Sequence, residues 1–333
     1  MVSANNELHE FMGQSYAHNN IQVKIIEDSC SGVKVTMGVQ QLQNRIVTFQ
    51  LRYPRFIHSE LMTHRGFSRN ASSSRAIPLA KMINQVMTNP AIPIHFGKNQ
   101  SGMQAKVELE GEDRAQAQLT WLEASREAVR MVERLKEIGT HKQVANRLLE
   151  PFQYIEVVLT TTMKCLNNFF ELRDHKDAQP EIALLAQKMK EALVKSEPNV
   201  IALGEWHIPY VSKEERQLYR TEILLNISVA RCCRVSYLRH DNEAPSVKAD
   251  LELCEKLAGS KPGHYSPFEH QAQYVDDYIQ NSSNKPFVLP NIFKSANVKN
   301  PPSNIKVRLG NLDKFQQYRH IVENYGLNGY KFN

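Results

Sequence analysis

From Ile46 to Tyr53 apolar and polar residues alternate, with Val47, Phe49 and Leu51 on one side and Thr48, Gln50 and Arg52 on the other. That period of two predicts a half-buried strand. Pro54 ends the run and opens a helical stretch, RFIHSELMTHR, which delivers the chain into a Ser/Asn-rich turn. Residues 76–111 carry Pro78, Pro90 and Pro93 with scattered glycines and read mainly as an irregular excursion. From Glu112 to Ile138 the period lengthens: Ala115, Leu119, Leu122, Val129, Val132 and Leu135 recur at three- and four-residue steps. This predicts one long amphipathic helix, stopped at Gly139. A short helix is expected around Val144, and the β-branched run IEVVLTTT (155–162) predicts a second strand. Pro180 then starts a helix that buries Ile182, Leu185, Met189 and Leu193. Residues 197–211 read as a connector, followed by a helix ending near Ala230, another over 247–258, and a strand after His270. The Asn/Ser/Pro-rich segment 279–304 reads as a loop, and LDKFQQYRH (312–320) as one helix whose basic and aromatic groups serve packing more than a ligand.

Helices and strands that mix without regular βαβ alternation predict an α+β fold, a mixed or antiparallel sheet packed with long helices. No glycine-rich fingerprint follows a strand, so a Rossmann dinucleotide site is unsupported. The 333 residues are 41% hydrophobic and 23% charged, enough for a sizeable core in a single domain over 1–333. No stretch approaches the ~18 apolar residues of a spanning helix. The N-terminus MVSANNELHEFMGQSYAHNN lacks the apolar run of a secretory signal, so a cytoplasmic protein without a membrane partner is expected. Five cysteines, Cys30, Cys165, Cys232, Cys233 and Cys254, form no C-x-x-C pair. Their odd number argues for reduced thiols over a disulfide framework or a zinc site, and no metal is expected. The net charge of +6 suits an anionic small-molecule substrate. The basic residues are dispersed, so nucleic acid is not the expected partner.

Chemistry concentrates in THRGFSRNASSSR (63–75), where His64, Arg65, Arg69 and Arg75 sit among Ser68, Ser72, Ser73, Ser74 and Asn70. Guanidinium forks and hydroxyls around a turn make a phosphate cradle, although such loops are also often plain solvated turns. The segment resembles the flavin-dependent thymidylate synthase family. Its signature is Arg-His-Arg, seven residues, then Ser, with Arg two further on. Here Thr63, His64 and Arg65 are followed by seven residues, Ser73 and Arg75, with Asn70 at the matching interior position. RLLEP, opened by Arg147, resembles the family's Arg-x-x-x-Pro element. NFFELRDHKDAQPEI (168–182) resembles its Asn-Phe…Leu-Arg…Ala-Gln-x-Glu-Ile block, placing Asn168, Arg173, Gln179 and Glu181. ISVARCCRVSY (227–237) and GHYSPFEH (263–270) resemble elements that precede the signature in the family but follow it here. The chain therefore reads as circularly permuted: a signature-bearing part over 20–196, a join at 197–211, and a normally N-terminal part with a C-terminal extension over 212–333.

The resemblance implies FAD, NADPH and 5,10-methylenetetrahydrofolate as cofactors, dUMP as substrate, dTMP as product, and a homotetramer with shared active sites. It also implies that no cysteine acts as nucleophile. Arg173 would face the uracil and stabilise its electron-rich form. Glu60, Thr63, Arg147, Ser73, Arg75 and the backbone N–H groups of Ala71, Ser72, Ser73 and Ser74 would hold the nucleotide. Thr63, His64, Arg65, Asn70, Thr162, Lys164, Asn168, Ser236, His264, Ser266 and Glu269 would hold the flavin. Several positions depart from the family: Thr63 replaces an Arg, Glu60 a Gln, Ala71 a Glu, Asp177 a His and Lys164 an Arg. Arg69 or Arg52 is a candidate for the missing guanidinium. These departures keep open a one-carbon transfer to another pyrimidine nucleotide, for example hydroxymethylation. A non-catalytic nucleotide- or RNA-binding protein that kept only the cradle is the other alternative.

Overall fold

The computed structural model describes residues 20–36, 39–235, 246–275 and 310–325. Its centre is a five-stranded sheet built from β1 (Gln22–Cys30), β4 (Ile46–Pro54), β5 (Ser68–Ala71), β6 (Tyr154–Thr162) and β7 (Asn199–Val200). The order is β5-β6-β4-β1-β7, antiparallel except where β7 runs parallel to β1. β2 (Gly32–Thr36) and β3 (Val39–Gln43) form a separate hairpin. A three-stranded sheet joins β8 (Trp206–His207), β9 (Ala272–Tyr274) and β10 (Phe315–Gln317).

The alternation in β4 divides two environments. Val47, Phe49, Leu51 and Tyr53, with Ile155, Val157 and Leu159 of β6, bury one face. That face is covered by α5 (Met163–Arg173) through Leu166 and Phe169, and by α6 (Pro180–Val194) through Ile182, Leu185, Met189 and Leu193. Each such side chain removed from water contributes roughly 1.5–3 kcal/mol, so this layer anchors the fold. On the other face lie α8 (Thr221–Val235), against β5 and β6, and α9 (Val247–Gly259), packed on α8. Here β4 presents Thr48 instead of an aliphatic, and a buried polar chain crosses the sheet. Ser29 Oγ meets His207 Nδ1 at 2.9 Å, His207 Nε2 meets Thr48 Oγ1 at 2.8 Å, Thr48 meets Thr160 at 2.6 Å, and Thr160 meets His270 Nδ1 at 2.9 Å. An unpaired buried hydroxyl costs about 1–3 kcal/mol, which is why these groups occur as a connected set. Burial pushes both imidazoles down to about 3, so they are neutral.

A third apolar cluster lies beside this sandwich. The 27-residue α3 (Gly111–Glu137) packs Val129 and Val132 against Met82 and Val86 of α2 (Leu79–Thr88), and against Leu149 and Phe152. Gly139, at φ +79°, ends the long helix as expected. The structure refines or corrects several expectations. Residues 76–111 are mainly irregular, but α2 occupies ten of them and buries Met82 and Val86, one turn apart. LDKFQQYRH is not one helix: 315–317 form β10, paired with β9, and a helix begins only at Tyr318 as α10 (Tyr318–Tyr325). The connector 197–211 contains β7 and β8, and α8 runs to Val235, past Ala230. RFIHSELMTHR is helical only as a 3-10 turn over 55–57 and the four-residue α1 (His58–Leu61). The segment 279–304 lies outside the described residues. The fold is α+β.

Candidate active site

Arg173 closes α5, and the end of α1 comes to meet it. Its Nε donates to His64 Nε2 at 2.9 Å, Nη1 pairs with Glu60, and Nη2 reaches Thr63 Oγ1 at 3.4 Å. A guanidinium can only donate, so His64 Nε2 must be the bare nitrogen of a neutral ring. Burial first, then the charges of Arg173 and Arg69, lower the His64 pKa to about 4. Phe67 stacks on the ring and Phe169 meets it edge-on at 4.9 Å, which fixes its plane. Three of the five N–H donors of Arg173 are thereby taken, leaving one on Nη1 and one on Nη2. The side chain is 19% exposed, so these two donors belong to a guanidinium held from behind and still reachable.

A second group of predicted residues gathers where β5 runs out. Ser73 O accepts the N–H groups of Ala76 and Ile77, making one tight turn. Asn146, fully buried, clamps that turn by donating to Ser74 O at 2.6 Å and Ile77 O at 3.0 Å. Among the described residues the backbone N–H groups of Ser73, Ser74 and Arg75 take no acceptor. The Ser72 N–H, expected to be free, is committed to Glu156 O at 2.8 Å as a rung of the sheet. Glu150 gathers Ser74 Oγ at 2.6 Å, Arg147 Nη1 at 2.9 Å and Arg55 Nη2 at 3.1 Å. One carboxylate shared by two guanidiniums leaves net positive charge beside unpaired turn amides, an arrangement suited to a phosphate. Arg147 is half exposed and Arg75 exposed on the same turn; Ala71 adds only backbone at the end of β5.

Asn70 ties this segment to the distant part of the chain. Its Nδ2 donates to Cys232 O at 2.7 Å, and its Oδ1 accepts from Ser266 Oγ at 3.3 Å. Glu269, from the same turn as Ser266, pairs with Arg319 of α10 and feels the charge of Arg69; burial nevertheless raises its pKa. A cavity of about 520 Å³ opens at the N-terminus of α5, lined by Arg45, Thr162, Lys164, Asp313 and Lys314 among others. Thr162 is the N-cap residue of that helix, yet its buried hydroxyl caps nothing and has no partner among the described residues. The helix N-terminus favours an anionic group, with Lys164 beside it at 3.5 Å from Asp313, whereas Arg45 is already paired with Asp28 at 2.6 Å. Arg65, Asn168 and His264 are exposed and have no side-chain hydrogen bond among the described residues. Ser236 lies outside the described residues.

Sequence reasoning missed Asn146, Glu150, Arg55 and His58. Glu150 stands three residues after Arg147, a helical pairing distance that could have flagged it. His58, bonded to Tyr53 Oη at 2.8 Å and lowered to about 4 by burial and by Arg55 and Arg69, carried no local signal. Burial pushes the Cys233 thiol up to about 11 and raises Cys232 and Cys254 as well, so these are inert core thiols. Among the described residues no helix is long and apolar enough to cross a membrane.

Residues 40–199 match the family model described as thymidylate synthase complementing protein. Among solved structures, the chain is similar to a UMP/dUMP methylase PolB from Streptomyces cacaoi bound with 5-Br dUMP. It is equally similar to that enzyme bound with 5-Br UMP. Both are 20% identical at a TM-score of 0.40, over 53% of this chain and 91% and 89% of theirs. Comparison with the curated proteins gives no match. Residues 40–199, just under half of the chain, hold both guanidinium clusters and are the part that is similar to the thymidylate synthase complementing protein family, that of the flavin-dependent thymidylate synthases.

Proposed function

We propose that the protein carries out the FAD-dependent reductive methylation of dUMP to dTMP, with methylenetetrahydrofolate as carbon donor and NADPH as reductant. The observation that carries this reading is the convergence of Glu60, Thr63 and His64 on Arg173. They hold a permanently charged guanidinium with two donors to spare, and those donors suit the carbonyl oxygens of a pyrimidine. Charge accumulating on the ring as C5 is activated is stabilised by a donor pair already in place, so little reorganisation is needed. Ser73, Arg75 and Arg147, with the unpaired turn amides, hold the nucleotide phosphate. The flavin, when bound, supplies the hydride that reduces the transferred one-carbon unit. Thr162, Lys164 and the first turn of α5 fit its anionic portion. His64 and Asn70, with Ser266 and Glu269, are the further residues assigned to it. On this reading no thiol acts as nucleophile: Cys232, Cys233 and Cys254 are buried, and Cys165, part-exposed beside Gly66, packs against the signature loop.

The same reading includes a circular permutation and a homotetramer. In support of the former, the segments 227–235 and 266–270 pack on the signature through Asn70–Cys232, Asn70–Ser266 and Thr160–His270. The chain is then one domain, joined differently. A specific observation favours a second substrate: Glu60 is an ion-pairing carboxylate against Arg173, and a carboxylate accepts a base's amino group. The test is anaerobic turnover of FAD-loaded protein with dUMP or dCMP, methylenetetrahydrofolate and NADPH, products identified by mass. Formation of dTMP, abolished in Arg173→Ala while FAD uptake persists, is the expected result. A product from dCMP alone overturns the substrate, and a protein that takes up no FAD overturns the reading.

A further inference from the structure

Arg69 lies between the two clusters and belongs to neither. It sits on β5, half buried, and its Nη1 donates to Met62 O at 3.2 Å and His64 O at 3.0 Å. Those carbonyls flank Thr63, so a guanidinium arriving from the sheet is fastened to the backbone on either side of a threonine. The other candidate, Arg52, is occupied elsewhere, paired with Glu156 at 3.3 Å and stacked over Tyr154 at 4.3 Å. Nη1 of Arg69 spends both hydrogens on the carbonyls, while Nε and Nη2 have no acceptor among the described residues. The Arg69 charge reaches His64 on the Arg173 side, His58 on the Arg55 side, and Glu269. Fastened at Met62 O and His64 O, Arg69 stands beside the residues that meet Arg173, with three donors unspent.

We propose that Arg69 supplies the guanidinium that position 63 lacks and that its Nε and Nη2 edge binds the pyrimidine nucleotide directly. Bracing the 62–64 backbone would use Nη1 alone and would need no charge. A half-buried guanidinium with idle donors carries a desolvation cost that bracing does not repay and an anionic ligand does. Glu269 limits that cost in the free protein, being near enough to feel Arg69 yet already paired with Arg319. Neighbouring His58 and His64 are neutral, so they add no competing positive charge.

This inference rests on the nucleotide reading above, and its test separates the two. The binding of dUMP is measured by calorimetry for wild type, Arg69→Gln, Arg69→Met, and Arg69→Met combined with Thr63→Arg, with circular dichroism as a check on folding. Arg69→Gln keeps an amide donor for the carbonyls and loses the charge, so it is expected to bind dUMP at least tenfold more weakly while folding normally. The double variant, with its guanidinium moved to position 63, is expected to regain most of the affinity lost in Arg69→Met. Unchanged affinity in Arg69→Gln, or no recovery in a folded double variant, reduces Arg69 to a brace and overturns the proposal. Wild type that binds no dUMP sinks the nucleotide reading itself.

Discussion

Gly66 is bare where helix α5 comes closest to the signature. A Cβ built there would collide with Cys165 Sγ and lie 3.1 Å from Cys165 Cβ. The Gly66 carbonyl is at the same time held by Thr161 Oγ1 at 3.1 Å, so the loop cannot simply back away. Gly66→Ala is therefore expected to destabilise the fold by ~1–3 kcal/mol, the usual cost of overpacking. Adding Cys165→Ala removes the obstructing sulfur and should return most of that loss, read as the urea midpoint of both single variants and the double. If the two effects merely add, the contact is not the source of the strain. Arg173 depends on the same closeness. His64 and Thr63 are two and three residues before Gly66, and α5 must approach for its last residue to meet them.

The clamped turn 73–77 shows how a short element can carry affinity without touching a ligand. Asn146 comes from the 3-10 segment Asn146–Phe152 that also provides Arg147 and Glu150, so one turn of chain both shapes and charges the phosphate cradle. Asn146→Ala strands two carbonyls, and its effect should fall on binding: KM for the nucleotide rises about tenfold, worth ~1.4 kcal/mol, while kcat barely moves. A fall in kcat at constant KM would instead place the turn in the chemistry. How much of this could be read beforehand follows from range. β4, β6, α3 and α6 were legible because each is long and keeps one period. The members of the Arg173 cluster were legible as site candidates because they sit in recognisable spacings, although their mutual contacts were not. By contrast, α2 was hidden among prolines, and β8 and β10 are two- and three-residue strands that exist only because β9 lies between them. Asn146 and Arg55 act across tens of residues and leave no periodic trace, and the bond from His58 to Tyr53, five residues back, follows neither the strand nor the helix period. The 312–320 run looked helical by composition, but pairing of Phe315–Gln317 with Ala272–Tyr274 overrode it.

Across the whole molecule, the two faces of the central sheet respond to acid differently. The aliphatic face buries Tyr53, whose hydroxyl burial keeps neutral throughout the acid range, whereas the opposite face holds His207 and His270, both fully buried and both lowered to about 3. A group whose pKa is depressed on folding leaves the unfolded chain to bind the proton first. Stability is then intact above about 6.5 and is lost as pH falls toward 3. At pH 5 each of the two histidines forfeits ~2 kcal/mol. Glu27 works in the opposite sense. Burial raises it to about 7 despite Arg216, so as pH falls below 7 it returns somewhat over ~2 kcal/mol by pH 5. His207 and His270 outweigh Glu27, and His58 and His64, both lowered to about 4, add to the loss, so the protein is expected to be acid-labile well before most carboxylates protonate. His207→Gln isolates the term. Glutamine can still bond Ser29 and Thr48 but cannot titrate, so the slope of unfolding free energy between pH 4.5 and 6 should fall by up to ~1.4 kcal/mol per pH unit, one proton's worth. Urea titrations of wild type and variant at four or five pH values measure it directly. An unchanged slope would mean that His207 takes its proton in the folded protein as easily as in the unfolded chain, and that the polar chain across the sheet admits water.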